Sequence, residues 1–221
     1  MIKVIFLMLF SFSTNAVAGH EVNNGGQVLI CHSSYTTLSL DYVIAKKSLV
    51  FTTKLVPASS AAASLLRISE LIKHKLPELS NSFAEFVAHV KNDSDPKAPY
   101  YWVKATSRLE EINDQNVDYI PAACPGGERA ELRQAIRRSR NEANLQKNQT
   151  VFHFDDNVMT SISRMQLSFL LVHEWLWDIS SNVVQNRNIN YFLHSELFDQ
   201  VSGAEAVNKM RSYGVNLDAK N

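Results

Sequence analysis

The chain has 221 residues, 45% of them hydrophobic, with 22 Lys+Arg set against 22 Asp+Glu. That is enough apolar material for one real core and points to a single domain. The balanced charge excludes a global basic field for holding nucleic acid or an anionic membrane surface.

The N-terminus reads as a secretory signal peptide. Lys3 supplies the positive start, Val4 to Phe12 form an apolar run broken only by Ser11, and Ala16-Val17-Ala18 fits the small-x-small cleavage rule. Cleavage after Ala18 leaves a mature chain that is periplasmic or secreted. The run is shorter than the roughly 20 residues of a membrane span. No later stretch of the mature chain is long and apolar enough to be a transmembrane segment.

The only cysteines are Cys31 and Cys124. In an oxidising compartment an even pair is most simply one disulfide, against the competing readings of a thiol nucleophile or a metal site. It closes a loop of about 92 residues, worth on the order of 4 kcal/mol by chain entropy.

In chain order, Gly19 to Gly26 is an entry arm, and Gln27 to Cys31 reads as a buried strand ended by His32-Ser33-Ser34. Thr36 to Leu49 fits both a helix face and strand alternation; a helix starting after Thr36 or Thr37 is preferred. Val50 to Val56 is a loop or short strand. Ser59 to Leu76 is a helix capped by Ser59 or Ser60, with Leu65, Ile68, Ile72 and Leu76 in one stripe and Pro77 as its stop. A second helix over about 80–91 presents Phe83, Phe86, Val87 and Val90, completing a helical hairpin in which His74 and His89 are surface residues. Asn92 to Pro99 is a solvated loop. Asp93 and Asp95 suggest calcium only until the missing Gly and closing Glu of an EF-hand are noticed.

Tyr100 to Val103 and Val117 to Ile120 read as strands, with Pro121 to Gly127 a turn holding Cys124. Glu128 to Leu145 weakly supports a helix, and its Arg133, Arg137, Arg138 and Arg140 read as a solvated face. Val151 to Phe154 is a strand. A long apolar helix capped by Thr160 or Ser161 then runs to about Ser180. After a polar link at 181–186, a helix with Ile189, Phe192, Leu193 and Leu197 ends at Gly203. A last helix over 204–213 is stopped by Gly214, and residues 216–221 form a loose tail. The expected fold is α+β: a mostly helical single domain over 19–215, with a few short strands around a central buried helix at about 160–180.

That helix contains Leu170-Leu171-Val172-His173-Glu174-Trp175-Leu176-Trp177. At 100° per residue, Ile162, Gln166, Phe169, Leu170, Leu176 and Trp177 fall within about 60° of His173, which is thus near the centre of the apolar stripe. A core-facing His needs partners for its ring nitrogens. His-Glu is also half of the zincin signature H-E-x-x-H, in which two imidazoles at i and i+4 grip zinc and the Glu activates the bound water. Position 177 is Trp, which cannot ligate, and Asp178 points about 140° away on the wheel. A catalytic His173 and Glu174 would therefore need zinc held by His173 together with His153 or His194. The competing readings are a hydrogen-bonded core His and a ligand-binding site. No Gly-x-Ser-x-Gly elbow accompanies the serines. Glu110-Glu111 and Asp155-Asp156 read as caps and surface charges. Trp102, Trp175 and Trp177 suit core packing more than a sugar platform.

Gly25-Gly26-x-Val28-x-x-Cys31, Leu40-Asp41-Tyr42, Pro121-x-x-Cys124 and Leu170-Leu171-x-His173-Glu174-x-x-Trp177 follow one another along the chain. In these the chain resembles an uncharacterised family of exported bacterial proteins found in predatory soil and water bacteria. Members share a Gly-Gly-x-Val-x-x-Cys start, a second Cys, and a Leu-x-His-Glu helix with Tyr or Trp near i+4. The resemblance implies export, a paired Cys31 and Cys124, and a functional or structural role for His173 and Glu174. It carries no established activity. Two function classes stand at this point: a non-catalytic exported protein that binds a protein partner or an envelope component, and a metal-dependent hydrolase with an atypical His-Glu site.

Overall fold

The structure, a computed structural model, describes residues 26–47, 52–110, 123–140 and 149–217. The expected signal peptide and its cleavage site, the entry arm up to residue 25, the strand over 117–120 and the last four residues lie outside these. Among the described residues the fold is the expected single-domain α+β arrangement, with eight helices and two small sheets of three strands. No described helix is long and apolar enough to cross a membrane.

Strand β1 (Gln27–Cys31) is the middle of the first sheet, whose order is β2-β1-β4. It pairs antiparallel with β2 (Thr36–Ser39), Cys31 facing Thr36 and Val28 facing Ser39, across a four-residue turn. Here the expected helix over 36–49 is corrected. The β-branched Thr36 and Thr37 complete a hairpin, and helix α1 (Leu40–Lys47) starts only at Leu40.

The expected helical hairpin is present as α2 (Ala61–Lys75) and α3 (Pro77–His89). Ser60 caps α2 by accepting from Ala63 N–H, and the stripe Leu65, Ile68, Ile72, Leu76 is buried. Pro77 stops α2 and also starts α3, where its missing N–H costs nothing. His74 and His89 lie on the surface, as expected.

The second sheet has the order β3-β6-β5. Strand β3 (Tyr100–Lys104) runs parallel to β6 (Thr150–Phe154), and β5 (Ile136–Arg140) antiparallel to it. The expected weak helix over 128–145 is overturned by β5 and by β4 (Glu131–Gln134), which joins the first sheet. Pairing with β1 and β6 overrides the local propensity of an Arg- and Glu-rich stretch. Ala135 alone separates β4 from β5, so the chain passes from one sheet directly into the other. Its N–H donates to Gly26 O at 2.9 Å and its carbonyl accepts from Asp155 N–H at 2.9 Å. The reading of Arg138 as solvated is also corrected: it is 1% exposed.

The long helix expected from about 160 to 180 is two helices. Asp155 caps the short α4 (Asp156–Ser161) by accepting from Val158 N–H. Ile162 then adopts extended backbone and bridges Thr37 in parallel, so the central helix α5 runs only over Arg164–Leu176. The expected caps Thr160 and Ser161 end up at the close of α4, bonded to its carbonyls. Similarly, the helix expected to reach Gly203 divides at Ser195 into α6 (Val183–His194) and α7 (Glu196–Gln200). There the chain pairs with residues 54–56 through Val56 N–H to His194 O and Glu196 N–H to Lys54 O, both under 3 Å at 2.9 and 2.8 Å. Gly203 begins α8 (Gly203–Ser212), which Ser202 and Glu205 close with a capping box.

Helix α5 contacts α1, α2, α6 and β2, and so sits at the centre of the molecule. Trp175 packs edge-on against Phe83 at 4.7 Å between ring centres, while Trp102 stacks on Phe152 at 4.5 Å. Trp102 and Trp175 are core residues, and Trp177 is half-buried.

Candidate functional site

His173 lies near the end of α5 and is 4% exposed. Its Nδ1 stands 2.5 Å from Oδ2 of Asp41, in the first turn of α1. Its Nε2 accepts from the Trp177 indole N–H at 3.0 Å, one turn further along. An indole can only donate, so Nε2 offers its lone pair and Nδ1 carries the proton donated to Asp41. The other carboxylate oxygen of Asp41 accepts from Arg187 Nε at 2.9 Å. Burial alone would raise the Asp41 carboxyl. The His173 ring and the Arg187 guanidinium overcome that and hold it well below the usual carboxylate range.

Helix α6 supplies the rest of the surroundings. Asn186 donates to the His173 carbonyl at 3.0 Å, and Asn190 donates to the Phe169 carbonyl at 2.9 Å and to Asp41 Oδ2 at 3.3 Å. Both asparagines are fully buried, one turn apart, on the face of α6 that meets α5.

Glu174 points elsewhere, as adjacent helical positions must. It is fully buried. Oε1 accepts from the backbone N–H of Gly26, and Oε2 has no hydrogen-bond partner among the described residues. Burial pushes its carboxyl up to about 7, against the pull of His173, Arg138 and the Gly26 N–H. The Glu174 carbonyl accepts from Arg138 Nη1 at 3.0 Å, and Arg138 also pairs with Asp178. Asp178 in turn accepts from the Tyr100 hydroxyl at 2.7 Å. Gly26 is the only residue type that fits its place: a Cβ there would collide with Leu170 Cδ1 and sit 2.9 Å from Glu174 Oε1.

The other two candidate ligands stand apart from His173. His194 stacks on Phe169 at 3.9 Å, with Nδ1 donating to Asn190 O at 2.9 Å and Nε2 lying 3.0 Å from Ser168 Oγ. Burial pushes it down to about 3, so it is neutral. His153 sits half-buried on β6 opposite Arg137; burial, then that guanidinium, lower it below the ordinary histidine range. Among the described residues no group of three or more His, Cys, Asp or Glu side chains comes together to hold a metal ion.

Cys31 and Cys124 form a disulfide with a Cα–Cα distance of 5.5 Å. Residues far apart along the chain thus pair off in space: Gly26 with Glu174, Asp41 with His173, Cys31 with Cys124.

No family model, curated protein or solved structure matches this chain. Sequence reasoning placed His173 at the centre of the buried face but missed Asp41, Arg187, Asn190 and Arg138. One signal was available for the asparagines: Asn186 and Asn190 are four apart on a helix whose remaining face is Ile189, Phe192 and Leu193. Nothing in the sequence pairs Asp41 with position 173.

Proposed function

We propose that this is an exported, disulfide-stapled protein with a non-catalytic binding or structural role at the cell envelope, in which His173 organises the core. The observation that carries this is the engagement of both His173 ring nitrogens, one by Asp41 and one by the Trp177 indole. A carboxylate on Nδ1 is the arrangement that orients a metal-ligating histidine. Zinc, however, would need the Nε2 lone pair that the indole N–H takes here. The competing reading, a metal-dependent hydrolase using His173 and Glu174, also asks the pair to work at one point, whereas Glu174 turns to Gly26.

Export is supported by the signal-like N-terminus and by the disulfide, which persists in oxidising compartments. Elemental analysis of purified wild-type protein beside His173→Ala tests the site: neither is expected to carry stoichiometric metal. Zinc bound to the wild type and lost from the variant would establish the hydrolase reading instead. Mass spectrometry of the protein recovered from the periplasm or medium of a bacterial host should find Gly19 at its N-terminus.

A further inference from the structure

A cavity of about 390 Å³ opens where the end of α5, the starts of α3 and α6 and the segment after α8 converge. Its size lies within the range of small-molecule sites. The apolar part of its wall is Leu79, Ile179 and Leu217, and the polar part includes Glu78, Asp178 and Gln185. Among the described residues no Lys or Arg lines it.

Two features mark it as more than a surface dent. Gln185 is only 6% exposed, and its Oε1 is committed to the N–H and hydroxyl of Ser181 at 2.6 and 2.8 Å. Its Nε2, a strong donor, makes no hydrogen bond to a described residue although the residue is nine-tenths buried in the cavity wall. Gly214 leaves room for that amide: a Cβ there would stand 3.1 Å from Gln185 Nε2. The second feature is charge. Asp178 is held rigidly by Arg138 and the Tyr100 hydroxyl, while Glu78 is an exposed carboxylate that forms no ion pair with a described residue. A donor amide, the exposed Glu78 carboxylate beside Asp178, which Arg138 already pairs, and a short aliphatic surface together define a complementary ligand.

We propose that this cavity binds a small primary ammonium compound whose amine faces Glu78 and Asp178, whose carbonyl oxygen accepts from Gln185 Nε2, and whose branched aliphatic group packs on Leu79, Ile179 and Leu217. That chemistry is shared by an aliphatic amino-acid amide and by the N-terminus of a peptide beginning with such a residue. The inference deepens the binding role proposed above and rests on it, but its test is independent of the metal analysis at His173.

The probes are L-leucinamide, a Leu-Ala-Ala peptide amide, and 4-methylpentanamide, which lacks the amine. Each is titrated into the full mature protein and followed by backbone and side-chain amide NMR shifts. Leucinamide should give a saturable change at millimolar concentration, the strength a ligand this small allows. The change should centre on the Gln185 side-chain amide and on Ile179, Gly214 and Asn216, and 4-methylpentanamide should leave these signals still. Glu78→Gln, an exposed position whose loss does not threaten folding, should weaken binding about fivefold, the size of a partly exposed ion pair. Equal response to the peptide amide identifies a peptide N-terminus as the source, and response to leucinamide alone identifies a free small molecule; either supports the site. No saturable shift, shifts centred elsewhere, or an equal response to 4-methylpentanamide overturns it.

Discussion

At the scale of single residues, Gly26 and Glu174 are two halves of one joint. Gly26 presents its N–H to Glu174 and its carbonyl to Ala135 N–H, and a side chain there would strike Leu170. Gly26→Ala should therefore cost about 1–3 kcal/mol, as overpacking in a tight core does, read as a lower urea midpoint at unchanged slope. Glu174 and His194 make opposite contributions to the pH dependence of stability. The fold raises Glu174 from 4.5 to about 7, so it binds that proton more tightly than the unfolded chain, and stability from this group is complete at acid pH and lost as pH rises through about 7. It lowers His194 from 6.5 to about 3, so stability from the neutral ring is present above 6.5 and lost as pH falls. Between pH 7 and 5 each amounts to roughly 2 kcal/mol, and the two cancel. Glu174→Gln removes one side of that balance. Its unfolding free energy should drop by about 2 kcal/mol more than the wild type's between pH 7 and 5; parallel urea curves at the two pH values would refute the assignment. At this scale the sequence showed that His173 faces the core, because one helix's periodicity suffices for that. It did not show the partner, because Asp41 lies 132 residues away and only the packing of α1 on α5 brings them together.

At the scale of elements, the parts legible in the sequence are those whose pattern is internal to the element. The stripe of α2, the aromatic face of α3, the short apolar run of β1, the alternation of β6 and the stop at Gly214 need no partner to be seen. The stretch over 131–140 was illegible because its strands exist through pairing. Leu132 faces Leu29 and Arg138 faces Phe152, and neither β1 nor β6 is a sequence neighbour. The same stretch hides a buried charge. Arg138 lies over the Phe152 ring, 5.9 Å from its centre, and links β5 to the end of α5 through the Glu174 carbonyl and Asp178. Arg138→Ala should cost about 3–5 kcal/mol, because it strips Asp178 of its buried counter-charge. Thermal unfolding monitored by circular dichroism measures it, and a loss below 1 kcal/mol would show the pair to be dispensable. The division of the expected long helix at Ile162 has the same origin as the missed strands: a backbone bridge to Thr37, invisible to periodicity, outcompetes helix continuation.

For the whole molecule, the disulfide ties β1 to the segment before β4 across 93 residues of chain. Chain entropy puts its contribution at about 4–5 kcal/mol. Paired Cys31→Ala and Cys124→Ala substitutions, or reduction, should lower the melting temperature by about 8–20 degrees, at roughly 2–4 degrees per kcal/mol in a domain of this size. Denatured, unreduced protein should show no titratable thiol; two free thiols would remove the staple.

The position of β1 has a kinetic consequence. Gly26 meets Glu174 at a separation of 148 residues, and β1 adds β4 across more than a hundred. Until β4 and Glu174 have been made, β1 has the β2 hairpin and the adjoining α1 to hold it. Contacts so distant must carry loop-closure entropy before they return any stabilisation, which makes them later to form than the local turns of the helices. A chain that cannot close its centre early stays threadable for longer. Under the export proposed above, delay of this kind keeps the polypeptide competent for passage through a membrane pore until the Glu174–Gly26 contact closes.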